Sequence, residues 1–190
     1  MEKKIYLIDF DGTIIVGDSL IKFSYFSIGI FQFFKYCVLV TILIPFYSKS
    51  DLKQMFYSNF NEFNLNDFNS LCLDFYNQKL RKLIKKSFMD FIKNINEDSK
   101  VVIVSASISN YLKPWCDEMG FDLISTELEV IDGKLTGRFS TPNCNGKEKV
   151  RRIKEKYNLS EYNEIHVFGN SKGDLPMLEL ATHKYYKFFK

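Results

Sequence analysis

The apolar and polar positions of the chain alternate in blocks, and each block predicts an element. Residues 5–8, Ile-Tyr-Leu-Ile between Lys4 and Asp9, form a short apolar run of the kind buried on both faces of a parallel sheet. Residues 101–104, 121–125 and 165–168 repeat the signal, and 185–189 predicts a last edge strand. Between them the spacing lengthens to helical. Phe68, Leu71, Cys72, Phe75, Tyr76 and Leu83 recur at three and four residues, and Phe88, Phe91, Ile92 and Ile95 continue the pattern. Helices are also predicted over 51–60, 111–119 (closed by Gly120), from Gly146 through Tyr157, and over 171–180. Asp132-Gly133 between 128–131 and 134–138 predicts a hairpin, the strongest local turn signal in the chain. Strands alternating with helices predict an α/β fold with a parallel sheet and helices on both faces. The helices of 16–85 form an insert, and 1–15 with 86–190 form the core.

One block fits no ordinary element. Residues 23–47 are aromatic and aliphatic, broken mainly by Gln32 and Lys35, and Pro45 closes them. The pattern reads as one helix ending near Gly29 and a second over 30–44. Packing of this stretch against the other insert helices is the favoured reading. Peripheral contact with a membrane interface stands second. A true span is opposed by Lys35 at the midpoint and by Pro45.

Composition narrows the class. With 190 residues, 46% hydrophobic and 26% charged, the chain is of globular type and suits one core with an insert. A net charge of +3, with no basic cluster interleaved with aromatics, excludes a nucleic-acid partner. Cys37, Cys72, Cys116 and Cys144 are scattered, without CxxC or a His at ligand spacing, and are expected to be reduced thiols. The start MEKKIYLID carries no signal peptide pattern, so a cytoplasmic protein is expected, at most peripheral at the inner membrane face. Oligomeric state is not implied.

Polar groups fall where the strands end. Asp9 and Asp11 precede Gly12 and Thr13; Ser105-Ala106-Ser107 follows the second strand; Lys147 and Lys149 open a late helix; Gly169-Asn170-Ser171 with Asp174 follows the fourth strand. Each has an ordinary structural role: turn formation for Asp9 and Asp11, a helix N-cap for Ser105 or Ser107, a capping box for Ser171 and Asp174. Four such clusters on one edge of a parallel sheet, where ligands bind, point to chemistry instead. Two acids, an amide, a hydroxyl and an ammonium are what phosphoryl transfer through a carboxylate requires, with Mg²⁺ bound by oxygens.

DFDGT, VVIVS, NCNGKEKV and GNSKGD resemble, in order, motifs one to four of the haloacid dehalogenase superfamily of phosphohydrolases. The insert is similar to a type 1 helical cap, and the fuller match is to the phosphoserine phosphatase-like subfamily. Within it, SASISNYLKPW, EVIDGKLTGRF and GDLPML resemble a branch that includes phosphatidylglycerophosphatase C. The resemblance implies a Rossmann-like core with an inserted cap and a Mg²⁺-dependent phosphatase acting through an aspartyl-phosphate. Asp9 would be the nucleophile and a metal ligand. Asp11 would be the acid/base and offer its carbonyl to the metal. Gly12, Thr13, Ser105, Ala106 and Lys149 would bind phosphate, and Asn170 and Asp174 would complete the metal site. Two positions depart from the family. Asn170 stands where an acid is usual, which predicts weaker metal binding with Asp174 taking more of the load, and Lys147 competes with Lys149 as the motif lysine. A phosphorylated small molecule or a lipid phosphate is the expected substrate, the apolar insert favouring the lipid. The rivals are a phosphatase of a soluble metabolite, a phospho-accepting signalling domain, and a membrane-associated binding protein.

Overall fold

Residue 3 onwards, to Lys190, is described by the computed structural model. Five strands form one parallel sheet: β1 (Lys4–Ile8), β2 (Lys100–Ile108), β3 (Asp122–Thr126), β6 (Glu164–Gly169) and β7 (His183–Tyr186). Their order is β3-β2-β1-β6-β7, so β1 is the central strand. It pairs with β2 from Ile5 opposite Lys100 to Ile8 opposite Ile103, and with β6 from Lys4 opposite Glu164 to Ile8 opposite Phe168.

Strand alternation divides the core in two. Tyr6 and Ile8 face a cluster with Phe88, Ile103, Trp115 and Phe168, whereas Ile5 and Leu7 face Val102, Ile153, Val167 and Met177. Helices α4 (Lys86–Ile92) and α5 (Ser109–Met119) contribute to the first cluster. Helices α6 (Lys147–Lys156) and α7 (Leu175–Leu178) contribute to the second. Both faces of β1 are therefore dry, as its sequence predicts.

The insert contains α1 (Ser19–Leu43), α2 (Lys49–Tyr57) and α3 (Leu65–Gln78). Its two ends run side by side: Val16 N donates to Leu83 O at 3.2 Å and Lys85 N to Ile14 O at 2.9 Å. Its interior is aromatic. Phe23 is fully buried, with ring centroids of Phe56, Phe60, Phe68, Phe75 and Tyr111 all within 5.2–6.2 Å. Tyr111 belongs to α5, so the insert and the sheet share one core.

The hairpin β4 (Leu128–Ile131) and β5 (Lys134–Phe139) turns at Asp132 and Gly133, both with positive φ (49° and 76°), as the Asp-Gly pair predicts. It clamps the insert through Leu65 N to Gly133 O at 2.9 Å and Leu135 N to Phe63 O at 3.0 Å. Gly137 is required here, because a Cβ would stand 2.6 Å from the Ser58 Cα.

Three expectations are corrected. First, β2 does not stop at Val104 but runs to Ile108, and neither Ser105 nor Ser107 caps α5. The 171–180 helix is shorter, a 3₁₀ turn at Lys172–Asp174 leading into α7. Third, the apolar 30–47 stretch is not packed inside. Gly29 takes φ 74°, ψ 168° and breaks α1, and beyond it Phe31, Phe34, Val38, Ile42 and Phe46 are 84%, 61%, 61%, 61% and 79% exposed. Helix α1 is long and apolar enough to cross a membrane by length and composition. Its second limb, at 1.5 Å per residue, is only about 21 Å long, short of the ~30 Å hydrocarbon core.

Burial separates two phenylalanines of the same helix. Phe23→Ala is expected to cost about 3–5 kcal/mol, and Phe31→Ser less than about 0.5 kcal/mol, in urea denaturation. Equal costs would contradict this division of α1.

Candidate active site

The carboxyl end of β1 delivers Asp9 into a nearly closed environment, 6% exposed. Its backbone N–H donates to Phe168 O at 3.0 Å, which keeps the strand register one residue into the loop. Its side chain is held from two sides. Lys149 Nζ donates to Oδ1 at 2.6 Å and Thr13 Oγ1 to Oδ2 at 2.8 Å. Lys149 lies in the first turn of α6, 1% exposed, and also donates to Asp174 Oδ1 at 2.7 Å. Lys147 is exposed. The lysine that reaches the aspartates is thus Lys149, which lies on the same helix face as buried Ile153.

Asp174 is fully engaged. Besides Lys149 on Oδ1, its Oδ2 accepts from Asn170 N at 3.1 Å, Ser171 N at 2.9 Å and Ser171 Oγ at 2.8 Å. The sequence reading placed Asp174 on a metal. The structure gives both its oxygens to other partners, and the capping box of Ser171 with Asp174 is real. Asn170 lies over Gly12: a Cβ on Gly12 would stand 1.9 Å from Asn170 Nδ2. Gly12 therefore has to be glycine, and its φ of 74° says the same.

Asp11 is gripped through Ser19 N to Oδ1 at 2.6 Å and Ser107 Oγ to Oδ2 at 2.6 Å. Ser19 Oγ in turn lies 2.9 Å from Ser107 Oγ and 3.1 Å from Tyr111 OH. This buried chain joins the first turn of α1 to β2 and α5. Sequence reasoning missed it. The alternation of Ser105 and Ser107 on one strand face was a usable signal, but the partner Ser19 lies 88 residues away. Ser105 is wholly buried and its Oγ accepts from Ser107 N at 3.0 Å, which leaves its own proton to donate. Ala106 lines the open cleft beside it.

That cleft, about 610 Å³, brings together Asp9, Asp11, Gly12, Ala106, Lys149, Asn170 and Asp174. Lys49 and Lys53 of α2 line the same space from the insert, and neither was singled out from the sequence. The charges are unbalanced. One ammonium serves two buried carboxylates, so the Lys149 group carries a net negative charge. Burial pushes Asp9 up to about 6, against the pull of Lys149 and with the push of Asp174. Burial also raises Asp11, with Asp18 adding to the effect and the Ser107 and Ser19 hydrogen bonds opposing it. At Asp174 burial is outweighed by Lys149 and Ser171, which hold it below the usual carboxylate range. Burial likewise opposes the Lys149 ammonium, and the two carboxylates more than restore it.

The haloacid dehalogenase-like hydrolase family profile matches residues 6–179, most of the chain and all four strand-end clusters. The chain belongs to the haloacid dehalogenase-like hydrolase family. It is 35% identical over 94 residues to Protein CicA of Caulobacter vibrioides, a match covering 48% of this chain and 42% of CicA. The matched part thus spans less than half of that relative. Among solved structures, a protein of unknown function from Bordetella pertussis Tohama I superposes with TM-score 0.87 at 18% identity, over 97% of this chain and 89% of that one. A phosphoserine phosphatase solved as a phospho-aspartyl intermediate analogue gives TM-score 0.63 at 19% identity, over 97% and 86%. The fold is that of the phosphoserine phosphatase-like hydrolases: the five-stranded parallel sheet with its helices on both faces.

Removing Lys149 strands two buried carboxylates. Lys149→Met is expected to cost about 3–5 kcal/mol at neutral pH. Burial already raises Asp9 to about 6 against the pull of Lys149, and without the ammonium it rises further, so at Asp9 the variant binds more protons folded than unfolded. That group's contribution to stability falls as pH rises through its folded pKa, so the gap to wild type should widen from pH 5 to pH 8 in urea denaturation. A gap that narrows would refute the arrangement.

Proposed function

We propose that the protein is a phosphatase that hydrolyses a phosphomonoester through an acyl phosphate on Asp9, with Mg²⁺ bound in the cleft. The observation that carries this reading is the buried Asp9–Lys149–Asp174 group beside Asp11 at the end of the central strand. The donor set fits the metal. Asp9, the Asp11 carbonyl and the Asn170 amide are hard oxygen donors, and the net negative charge around Lys149 favours a cation. Magnesium would supply the charge that lets an anionic carboxylate approach an anionic phosphate.

The remaining steps belong to the chain's own residues. Asp9 attacks phosphorus and the ester oxygen leaves as an alcohol, taking its proton from Asp11, whose raised pKa suits an acid. Asp11, now ionised, removes a proton from water, which attacks phosphorus and restores Asp9. Lys149 and the Ser105 hydroxyl hold phosphate oxygens as charge shifts, with the Gly12 and Ala106 backbones close by. Thr13 keeps the Asp9 carboxylate in one orientation through Oδ2. Asp174 acts by fixing Lys149 rather than by touching the metal. The 16–85 insert serves as a cap over this chemistry, on the 1–15 and 86–190 core.

The exposed apolar limb of α1 supports a lipid-borne phosphate. A row of phenylalanines and aliphatics that exposed suits the interface of a bilayer, and exposed Lys35 on the same limb suits anionic headgroups. The protein would then work from the cytoplasmic side, peripheral to the inner membrane face.

Two measurements test this. With purified protein, Mg²⁺ should support release of phosphate from a panel of phosphomonoesters and EDTA should stop it. Asp9→Asn should lower kcat by at least about 10³-fold, while Asn170→Asp should lower the Mg²⁺ concentration for half-maximal rate. Stable phosphorylation of Asp9 without release of phosphate would instead favour a phospho-accepting signalling domain. For the lipid reading, the protein should co-sediment with vesicles containing anionic phospholipid and lose most of that binding on combined Phe31→Ser, Phe34→Ser and Phe46→Ser. No binding, or better turnover of phosphoserine than of phosphatidylglycerophosphate in detergent, would sink it.

A further inference from the structure

The cleft has a second cationic wall that the proposed chemistry leaves unused. Ser48 caps α2, and Asp51 returns the bond in a full capping box, so the start of the helix is fixed. Leu52, Phe56 and Tyr57 bury one side of α2, which fixes its rotation, and Lys49 and Lys53 lie along the border of that side. Lys49 and Lys53, one turn apart, then face the cleft together. Lys53 is half-buried, its Nζ 3.5 Å from the Ala106 carbonyl, beside the strand end that carries Ser105.

Their charge is not spent within the chain. Among the described residues neither Lys49 nor Lys53 forms an ion pair, whereas Lys149 is held by two carboxylates. The other acid at the mouth, Asp18, is engaged in capping α1, its Oδ1 accepting from Leu20 N at 2.8 Å. Lys53 Nζ has the Ala106 carbonyl within reach and no carboxylate, so its charge is available to an anion in the cleft. An anion placed against it in the narrowed cleft would gain more than it would at an open surface.

We propose that Lys49 and Lys53 form a second anion subsite, so that the substrate is a phosphomonoester carrying another negatively charged group, a carboxylate or a phosphodiester, on its alcohol portion. This rests on the phosphatase reading and narrows it. The scissile phosphate sits against Asp9 and Lys149, and the second anion spans to α2. The exposed apolar limb runs directly into α2, so an alcohol portion with an apolar tail would pass its linking anion across these lysines on its way in. Specificity then comes from charge at two points, with the apolar surface adding membrane proximity.

The test compares three soluble esters under Mg²⁺: glycerol 3-phosphate, with a neutral alcohol; 3-phosphoglycerate, with a carboxylate; and glycerol 3-phosphate carrying a methyl phosphodiester at its far hydroxyl. At least one anionic ester should exceed glycerol 3-phosphate in kcat/KM by about tenfold. Lys49→Ala and Lys53→Ala should each remove most of that advantage, mainly through KM, and leave glycerol 3-phosphate within about twofold. Lys53→Arg should retain it. Which anionic ester responds identifies the group the subsite takes. Equal loss on all three esters would assign the lysines to the scissile phosphate, and no advantage for either anionic ester would remove the subsite. If none of the three is hydrolysed while the wider phosphomonoester panel is, the subsite falls; if the panel also fails, the phosphatase reading itself falls.

Discussion

One buried ammonium holds the site together. Lys149 bridges Asp9 at the end of β1 and Asp174 after β6, so α6, β1 and the β6 loop can close only in one arrangement. A buried charge without partners is expensive, and here each charge has at least one. The neighbouring backbone is shaped around this group. A Cβ on Gly169 would stand 2.5 Å from the Asp174 Cβ, and one on Gly12 would strike Asn170. Gly169 is thus a space requirement of the charge cluster, and Gly12 one of the Asn170 amide beside it. On the proposed reading, the excess negative charge that remains would make the pocket receptive to a cation and, through it, to phosphate.

A second requirement is that the insert stay in register with this cluster. The Ser19–Ser107–Tyr111 hydroxyl chain fastens the first turn of α1 to Asp11, and Phe23 four residues later anchors the same helix in the shared aromatic core. The hairpin closes the far side by backbone hydrogen bonds to 63–65. Any movement of the insert therefore reaches Asp11 directly, through Ser19 N on Oδ1. Placement of α2, with its two lysines, depends on the same anchoring.

How much of this was legible in the sequence follows from the range of the interactions. Local signals held: the strand over 5–8, the Asp132-Gly133 turn, the break at Gly29 and the capping box at Ser171 are each set within a few residues. Asp9, Asp11 and Asn170 were legible because strand ends of a parallel sheet converge on one edge. Lys147 and Lys149 could not be separated by spacing alone; the burial of Ile153 one turn on decides the helix phase. The contacts of Asp174 were not legible, because a carboxylate near a metal motif and a carboxylate holding a lysine look alike until its oxygens are traced to Lys149 and Ser171. The 30–47 stretch was misplaced for a different reason. Apolar residues show that a surface prefers to leave water, and do not show what covers it.

Asn170 is where these strands of argument meet. An acid there would add negative charge to a pocket that already holds one ammonium between two carboxylates. A dianionic phosphate entering beside Asp9 has to overcome that charge, and burial keeps the repulsion strong. On the proposed reading, a neutral amide would offer an oxygen to the cation while sparing the phosphate that repulsion, and Gly12 leaves the room it needs. The cost would fall on metal affinity. On the proposed reading, a substrate bringing a second anion would lose most by extra negative charge at Asn170, and it is such a substrate that the lysines of α2 are placed to hold.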